Sequence, residues 1–255
     1  MPLDIRTIPC LSDNYAYLAH DAETGATALI DIPEAAPILA ALAETGWTLS
    51  DILITHHHYD HVDGLADVLA AHPARVIGAA ADSRRLPPLD VAVREGDSVT
   101  IGSQNGQVID VSGHTIHHIA FHFPDARALF TADSLMALGC GRVFEGTKPQ
   151  MHDSLQKMAV LPGDTWVYSG HEYTAGNAKF ALTIDPDNPE LISRVREVTE
   201  KRASGTPTVP SLLSQELATN PFLRANDPAI QAHLGMEGAN AADVFSEIRT
   251  RKDNF

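Results

Sequence analysis

The segment from residue 52 to residue 61 constrains this chain most, because an apolar run ends there in a crowd of polar side chains. The run ILI at 52–54 is typical of a buried strand, and THHHYDH at 55–61 follows it directly. Side chains two residues apart in an extended segment point the same way, so His56 and His58 can face one ligand. Four histidines and an aspartate at a strand end indicate a binding site.

The residue types in this segment point to metal binding. Neutral imidazole nitrogen and carboxylate oxygen suit zinc and other divalent first-row metals. His56, His58, Asp60 and His61 together would crowd one tetrahedral ion and leave it no open position. Two adjacent ions sharing the segment fit better, provided that further ligands come from elsewhere in the chain.

Three more candidate ligands share one placement, just beyond the end of an apolar strand. They are His114, Asp133 and His171, after the predicted strands 107–111, 127–131 and 166–169. Strand ends at one edge of a sheet are where α/β proteins assemble their sites. The sequence therefore predicts a two-metal site with seven ligands, of which five are histidines. A lone histidine is more often a core residue than a ligand, and we expect His57 and His118 to serve packing or to face solvent.

The chain changes its pattern near residue 173. Before it, short apolar runs bounded by turn residues alternate with helical spacing, as in an α/β protein. After it the strand signal vanishes, and helices are predicted at 189–204, 211–218, 228–234 and 241–252. We expect two domains, 1–172 and 173–255.

Composition limits the partners. The formal net charge of −15 repels nucleic-acid phosphates and anionic lipid, so neither is an expected partner. No apolar run approaches the length of a membrane span, and the start resembles no targeting segment, so we expect a cytoplasmic protein. Cys10 and Cys140 provide no disulfide framework, and we interpret both as small buried residues.

A small anionic substrate would need basic residues concentrated locally. Arg249 and Lys252 lie three apart on a predicted helix and therefore share a face, and Arg142 follows Cys140. A basic helix end is also common without any ligand, because it complements the helix dipole. Spacing alone does not decide between these two interpretations.

At the ligand residues the sequence resembles the metallo-β-lactamase superfamily, whose HxHxDH signature and three further ligand positions are matched in order. A closer resemblance covers essentially the whole chain and is to the hydroxyacylglutathione hydrolases, also called glyoxalase II. The motifs that carry it are DNY at 13–15, CGRVFEGT at 140–147, GHEYT at 170–174, NPF at 220–222 and RxxKDxF at 249–255.

This resemblance implies an αββα sandwich for residues 1–172 and a helical substrate-binding domain for 173–255. It also implies ligand roles: a first metal on His56, His58 and His114, a second on Asp60, His61 and His171, and Asp133 bridging both. The implied glutathione contacts are Arg249 and Lys252 for the glycine carboxylate, with Arg142, Phe144 and Tyr173 for the peptide. Arg142 stands where the family often has Lys, and Phe144 where it often has Tyr, so we expect altered affinity but the same reaction class.

The implied reaction is hydrolysis of S-2-hydroxyacylglutathione, such as S-D-lactoylglutathione, as the second step of methylglyoxal detoxification. A hydroxide shared by two metals would attack the thioester, with Asp60 and Asp133 orienting it and no protein nucleophile. A thiolate leaves readily because the pKa of its conjugate acid is only about 8.5. We expect zinc, although iron and manganese suit the same ligands. The oligomeric state is open, with a monomer as the working expectation.

Other functions remain to be weighed. Within the same fold the alternatives are a lactonase, a persulfide dioxygenase with one iron, and a nuclease. The net negative charge of the chain argues against the nuclease. The helical C-terminal region with its basic end argues against the dioxygenase. A binding module with structural zinc is a different class, but such sites are usually closed and rich in cysteine.

Overall fold

A computed structural model describes residues 3–255 of the chain, and these residues form two units. The first unit comprises the described residues up to Asp110 together with His117–Thr131. The second comprises Val111–Ile116 and Ala132–Phe255. The expected domain division at residue 172 rests on a change of sequence pattern, and it stays a prediction.

The first unit contains a six-stranded mixed sheet in which the strands lie in sequence order. These strands are β1 (Asp4–Cys10), β2 (Asn14–His20), β3 (Thr27–Ile30), β4 (Asp51–Leu53), β5 (Arg75–Ala79) and β6 (Val91–Val93). The strands from β1 to β3 pair antiparallel, and those from β3 to β6 pair parallel. Ile30 at the end of β3 pairs with Leu53 at the end of β4, so residues that follow both strands leave the sheet at one edge.

Four further strands of the first unit pair antiparallel, in the order β10, β9, β8, β7. They are β7 (Ser98–Ile101), β8 (Gln104–Asp110), β9 (Ile119–Phe123) and β10 (Ala128–Ala132). The ring of Phe130 lies 5.7 Å from that of Tyr17 on β2 and 6.2 Å from that of Phe123. These buried rings fill the core between the two sets of strands.

The helices of the first unit are α1 (Ala35–Thr45), α2 (Tyr59–Val62) and α3 (Leu65–Ala71). The sequence pattern predicts one helix over 62–71, and the structure corrects this to two short helices separated at Gly64. A Cβ at Gly64 would lie 2.9 Å from the backbone nitrogen of Ala35, so only glycine allows the chain to pass that close. Helix α2, the first of the two, begins at Tyr59 and so contains Asp60 and His61 of the candidate ligand segment.

The second unit is mostly helical. Its strands are β11 (Leu135–Met136), β12 (Gly139–Cys140), β13 (Trp166–Ser169) and β14 (Ser211–Leu212), and its helices are α4 (Lys148–Ala159), α5 (Thr174–Ile184), α6 (Pro189–Ala203), α7 (Leu213–Thr219), α8 (Pro228–Leu234) and α9 (Ala241–Asp253). The predicted helices near 189–204, 228–234 and 241–252 are confirmed. The helix predicted over 211–218 is wrong in its first turn, where Ser211 and Leu212 pair with β13 instead.

The expectation of an α/β protein is confirmed by the strands and helices of both units. Both cysteines are buried, as expected. None of the helices among residues 3–255 combines the length and the hydropathy that a membrane span requires.

Candidate functional site

The ligand segment of the first unit follows β4 and extends into α2. His56 and His61 are buried, with 1% and 0% of their surface exposed, and His58 and Asp60 are partly buried. The imidazole ring of His56 lies 4.8 Å from that of His58 and 4.2 Å from that of His61. Tyr59 is 71% exposed and points away from this cluster of rings.

Asp31 holds this cluster through hydrogen bonds to Thr55 and His61. Its Oδ2 atom lies 2.7 Å from Nδ1 of His61 and also accepts a hydrogen bond from the hydroxyl of Thr55 at 2.8 Å. The backbone N–H of Thr55 donates to the other carboxylate oxygen at 2.9 Å. Because a carboxylate only accepts, Nδ1 of His61 carries the proton, and its Nε2 atom presents a lone pair.

The same network sets the tautomer of His56. The hydroxyl of Thr55 donates its hydrogen bond to Asp31, and its oxygen lies 3.0 Å from Nδ1 of His56. The N–H at Nδ1 of His56 therefore donates a hydrogen bond to this oxygen, and Nε2 of His56 faces the site as a ligand atom. The ligand atoms of Asp31, His56 and His61 all lie within 4.8 Å of one another.

Asp60 is held by Asn14, which is buried on β2. The side-chain amide of Asn14 donates to the backbone oxygen of Asp60 at 3.0 Å and to its Oδ2 atom at 3.1 Å. The same Oδ2 atom lies 3.8 Å from Nε2 of His61. Two atoms that both carry lone pairs repel each other, so this approach favours a cation beside them.

The second unit brings His114, Asp133 and His171 together. The Oδ2 atom of Asp133 lies 3.3 Å from Nε2 of His114 and 3.3 Å from Nε2 of His171. All three residues are buried. Nδ1 of His114 lies 2.7 Å from the backbone oxygen of Arg142, so it carries the proton and Nε2 faces the carboxylate with a lone pair.

The backbone around Asp133 is shaped by its neighbours. A Cβ on Gly141 would lie 1.9 Å from the backbone oxygen of Asp133, so this close approach requires glycine. Ala132 has a φ of 40°, in the left-handed region that glycine adopts more readily. The turn that presents Asp133 is therefore fixed by close packing on one side and by a strained backbone on the other.

The donor types among the candidate ligands fit a divalent metal ion. Metal-bound histidines usually donate their second ring nitrogen to a carboxylate or a carbonyl, as His61 and His114 do here. The buried Nε2 and carboxylate oxygen atoms at short range are compatible with each other when a cation lies between them. The clusters of histidine and aspartate therefore support divalent metal binding.

Three predicted peptide contacts surround two of these ligands in the second unit. The ring of Tyr173 stacks on His171 at 4.6 Å, and the ring of Phe144 meets His114 edge to face at 5.3 Å. The guanidinium carbon of Arg142 lies 5.8 Å from the centre of the Phe144 ring. Tyr173 and Phe144 are 43% and 61% exposed, so both aromatic surfaces are available to a ligand.

The basic end of α9 is more enclosed than a solvated helix end. Arg249 is 4% exposed and donates to the backbone oxygen of Cys140 and to Asp253, both at 3.0 Å. Asp253 also lies 3.7 Å from Nε of Arg142. Lys252 is half-buried, and burial together with the charge of Arg249 lowers its pKa. Two of the basic residues predicted to bind substrate, Arg142 and Arg249, therefore face Asp253.

Neither cysteine is suited to act as a nucleophile. Burial raises the pKa of Cys10 to about 11 and that of Cys140 to about 11. Both thiols are therefore protonated at neutral pH, and the thiolate is the reactive form. This is consistent with a site built on metal ligands alone.

Sequence reasoning missed two residues that support the ligands, Asp31 and Asn14. Asp31 directly follows the apolar strand β3, which is the same placement that identified His114, Asp133 and His171. The same sequence signal therefore identifies Asp31 as a residue of the site. Asn14 belongs to the DNY motif, whose role became visible only with its two hydrogen bonds to Asp60.

Comparisons with known proteins show the family to which the chain belongs. The family model described as metallo-beta-lactamase superfamily matches residues 21–171, and the model described as hydroxyacylglutathione hydrolase C-terminus matches residues 172–255. A hydroxyacylglutathione hydrolase from Roseobacter denitrificans is 65% identical over 255 residues, which is all of both chains.

Two solved structures are similar to this chain in fold. The B3 metallo-beta-lactamase BLEG-1 superposes with a TM-score of 0.66 at 21% identity, covering 86% of this chain and 99% of that one. TTHA1623 in a di-iron-bound form superposes with a TM-score of 0.61 at 25% identity, covering 86% of this chain and all of that one. The expected metallo-β-lactamase fold with a helical C-terminal part is confirmed. The chain belongs to the metallo-β-lactamase superfamily and, within it, to the hydroxyacylglutathione hydrolase family.

Proposed function

We propose that this protein hydrolyses S-2-hydroxyacylglutathione, with S-D-lactoylglutathione as the representative substrate, to glutathione and the 2-hydroxy acid. The observation that carries the proposal is the Asp133 carboxylate, which lies 3.3 Å from the Nε2 atoms of two buried histidines. Full-length identity of 65% to a hydroxyacylglutathione hydrolase supports the substrate class. The basic end of α9 supplies the local positive charge that an anionic peptide requires in an acidic protein.

The proposal assigns two divalent metal ions, zinc first and iron or manganese as alternatives, to the ligand residues of both units. His56, His58 and His114 would hold one ion, Asp60, His61 and His171 the other, and Asp133 both. The donor chemistry of these residues supports the assignment, and the di-iron form of TTHA1623 is consistent with two ions. Bound divalent ions would lower the pKa of water toward neutrality and polarise the thioester carbonyl.

The protein residues would orient the reactants. Asp60 and Asp133 are hydrogen-bond acceptors that would align the attacking water, and Asn14 fixes the position of Asp60 through two donated bonds. No general acid is required for the leaving group, because the pKa of a thiol is only about 8.5. No protein nucleophile is assigned, and the protonated state of Cys10 and Cys140 agrees with that assignment.

Substrate binding is assigned to the second unit. Lys252 and Arg249 would bind the glycine carboxylate, and Arg142, Phe144 and Tyr173 would contact the rest of the tripeptide. Half-burial of Lys252 strengthens its attraction for a carboxylate relative to a solvated lysine. We also propose residues 1–172 as the catalytic domain, residues 173–255 as the substrate-binding domain, a monomeric state and a cytoplasmic location, with neither nucleic acid nor membrane as a partner.

The test combines metal analysis with a thioester assay on the full chain. We expect about two divalent ions per chain and release of free glutathione from S-D-lactoylglutathione, detected with a thiol reagent. A lactone and a glutathione persulfide serve as competing substrates. Fully metallated protein that turns over either of these, but not the thioester, would reject the proposed substrate.

A further inference from the structure

The ammonium group of Lys252 lies beside two aromatic rings that no part of the proposed function uses. Its Nζ atom is 5.1 Å from the centre of the Phe180 ring on α5 and 5.2 Å from that of the Phe255 ring. The two rings are 5.5 Å apart and meet at 67°. We refer to Phe180 and Phe255 as the aromatic pair.

These distances are within the range over which an aromatic face attracts a cation. The Nζ atom also lies 3.4 Å from the backbone oxygen of Gly176, so Lys252 has three neighbouring groups that restrict it. A free lysine side chain samples many rotamers, and a ligand that binds it must immobilise it. A lysine already held by its surroundings avoids most of that entropy loss.

We propose that the aromatic pair positions Lys252 to recognise a free carboxylate on the substrate, and so makes the enzyme selective for a thioester with an unmodified glycine end. Phe180 and Phe255 are positioning residues in this proposal, because they act through Lys252 and touch no reacting atom. The inference rests on the proposed function, since it takes the glycine carboxylate as the partner of Lys252.

The two members of the pair differ in how well they can be tested. Phe180 is 1% exposed and its ring also packs on Phe222, so its replacement would disturb the core. Phe255 is 65% exposed, and its ring contacts Lys252 and Phe180. Phe255→Leu therefore removes half of the pair and opens no cavity.

The first experiment measures steady-state kinetics of Phe255→Leu with two substrates, S-D-lactoylglutathione and the same thioester with its glycine carboxylate amidated. We expect KM for the free carboxylate to rise about two- to fivefold with kcat unchanged, and KM for the amide to stay the same. An equal rise for both substrates, or no rise for either, would overturn the proposal.

Two further variants separate positioning from general structure. Trp166→Leu removes another partly exposed aromatic ring of the second unit, one that lines a cavity with Lys201 and Pro210, and should leave both KM values unchanged. In a Lys252→Met background, Phe255→Leu should raise KM no further, because its effect passes through the ammonium group. A full additional rise in that background would show that Phe255 does not act through Lys252.

A binding measurement keeps this inference distinct from the proposed reaction. Calorimetry of metallated protein with S-methylglutathione, which is not hydrolysed, should give a dissociation constant about two- to fivefold weaker for Phe255→Leu than for the parent chain. If the parent chain binds the probe with this difference but does not hydrolyse the thioester, the reaction is wrong and the aromatic pair stands. If the parent chain hydrolyses the thioester and the dissociation constants are equal, the aromatic pair is rejected alone.

Discussion

The ligand segment of the first unit and the end of α9 in the second unit are held in contrasting ways. Around His56 and His61, short hydrogen bonds to Asp31 and Thr55 fix each imidazole in one tautomer, and both histidines are buried. At the end of α9, long basic side chains are held by Asp253, aromatic rings and backbone oxygens, and Lys252 keeps part of its surface exposed. The first region is built for a fixed geometry, and the second for affinity. Substitutions in the first region should therefore affect metal binding, and substitutions in the second should affect substrate affinity.

The largest effect is expected from Asp31→Asn. The amide cannot accept from Thr55 and His61 at both of its heavy atoms, so one buried donor is left unsatisfied, at a cost of about 1–3 kcal/mol in the free energy of unfolding. Loss of the charge that supports His61 should weaken metal binding by about 10- to 100-fold. Metal titration and chemical denaturation measure the two effects.

A matched control for this variant is Asp21→Asn. Asp21 is also buried in the first unit and accepts from the backbone N–H groups of Glu23 and Ser103, but it contacts no candidate ligand. We expect it to lower stability and to leave metal affinity unchanged. Equal loss of metal in both variants would remove the special role of Asp31.

Lys252→Met should leave the metal content intact and act on substrate affinity alone. A hydrogen bond to a charged group contributes about 1.5–3 kcal/mol, so KM for the glutathione thioester should rise about 10- to 100-fold. The value of kcat should change little. Loss of metal together with affinity would show that the two regions are not independent, and an unchanged KM would remove Lys252 from the substrate site.

Phe144→Tyr, in the second region, is expected to strengthen substrate binding. The variant adds the hydroxyl that the family often has at this exposed position, where it can donate to the substrate. We expect KM to fall about two- to tenfold, as for one net hydrogen bond. Kinetics of the variant beside the parent chain decide this, and a higher KM would mean that the ring of Phe144 is used only for its apolar face.

The smallest effect is expected from Ala132→Gly, next to Asp133. Glycine relieves a left-handed backbone that costs an alanine about 1–2 kcal/mol, but it also increases the entropy of the unfolded chain by about 0.4–1 kcal/mol. The variant should therefore gain up to about 1.6 kcal/mol in the free energy of unfolding, with metal binding unchanged. Denaturant titration measures this change, and a clear destabilisation would contradict the strain at Ala132.

The two regions also differed in how far the sequence could predict them. Histidine and aspartate at strand ends are rare enough to identify candidate ligands, and the structure places His114, Asp133 and His171 together. The basic residues of α9 carried no such signal, because a basic helix end needs no ligand. Their burial, and the aromatic pair beside Lys252, depend on packing between α5 and α9 that spacing alone does not reveal.

The elements that sequence reasoning missed have identifiable physical causes. Strand β1 contains Pro9, which argues against a strand, yet β1 is an edge strand where proline is tolerated. Helix α5 is buried on several faces and therefore shows no single apolar stripe. Helix α4 was predictable, since Met151, Leu155 and Met158 have helical spacing and Thr147 caps its start.

The most direct test of the account is reconstitution of metal-free protein with zinc, followed by the thioester assay at each step. The account predicts no hydrolysis of S-D-lactoylglutathione without metal and a rate that rises until about two equivalents are bound. Removal of the metal should abolish the reaction again. Hydrolysis that persists in metal-free protein, or fully metallated protein that leaves the thioester intact, would contradict it.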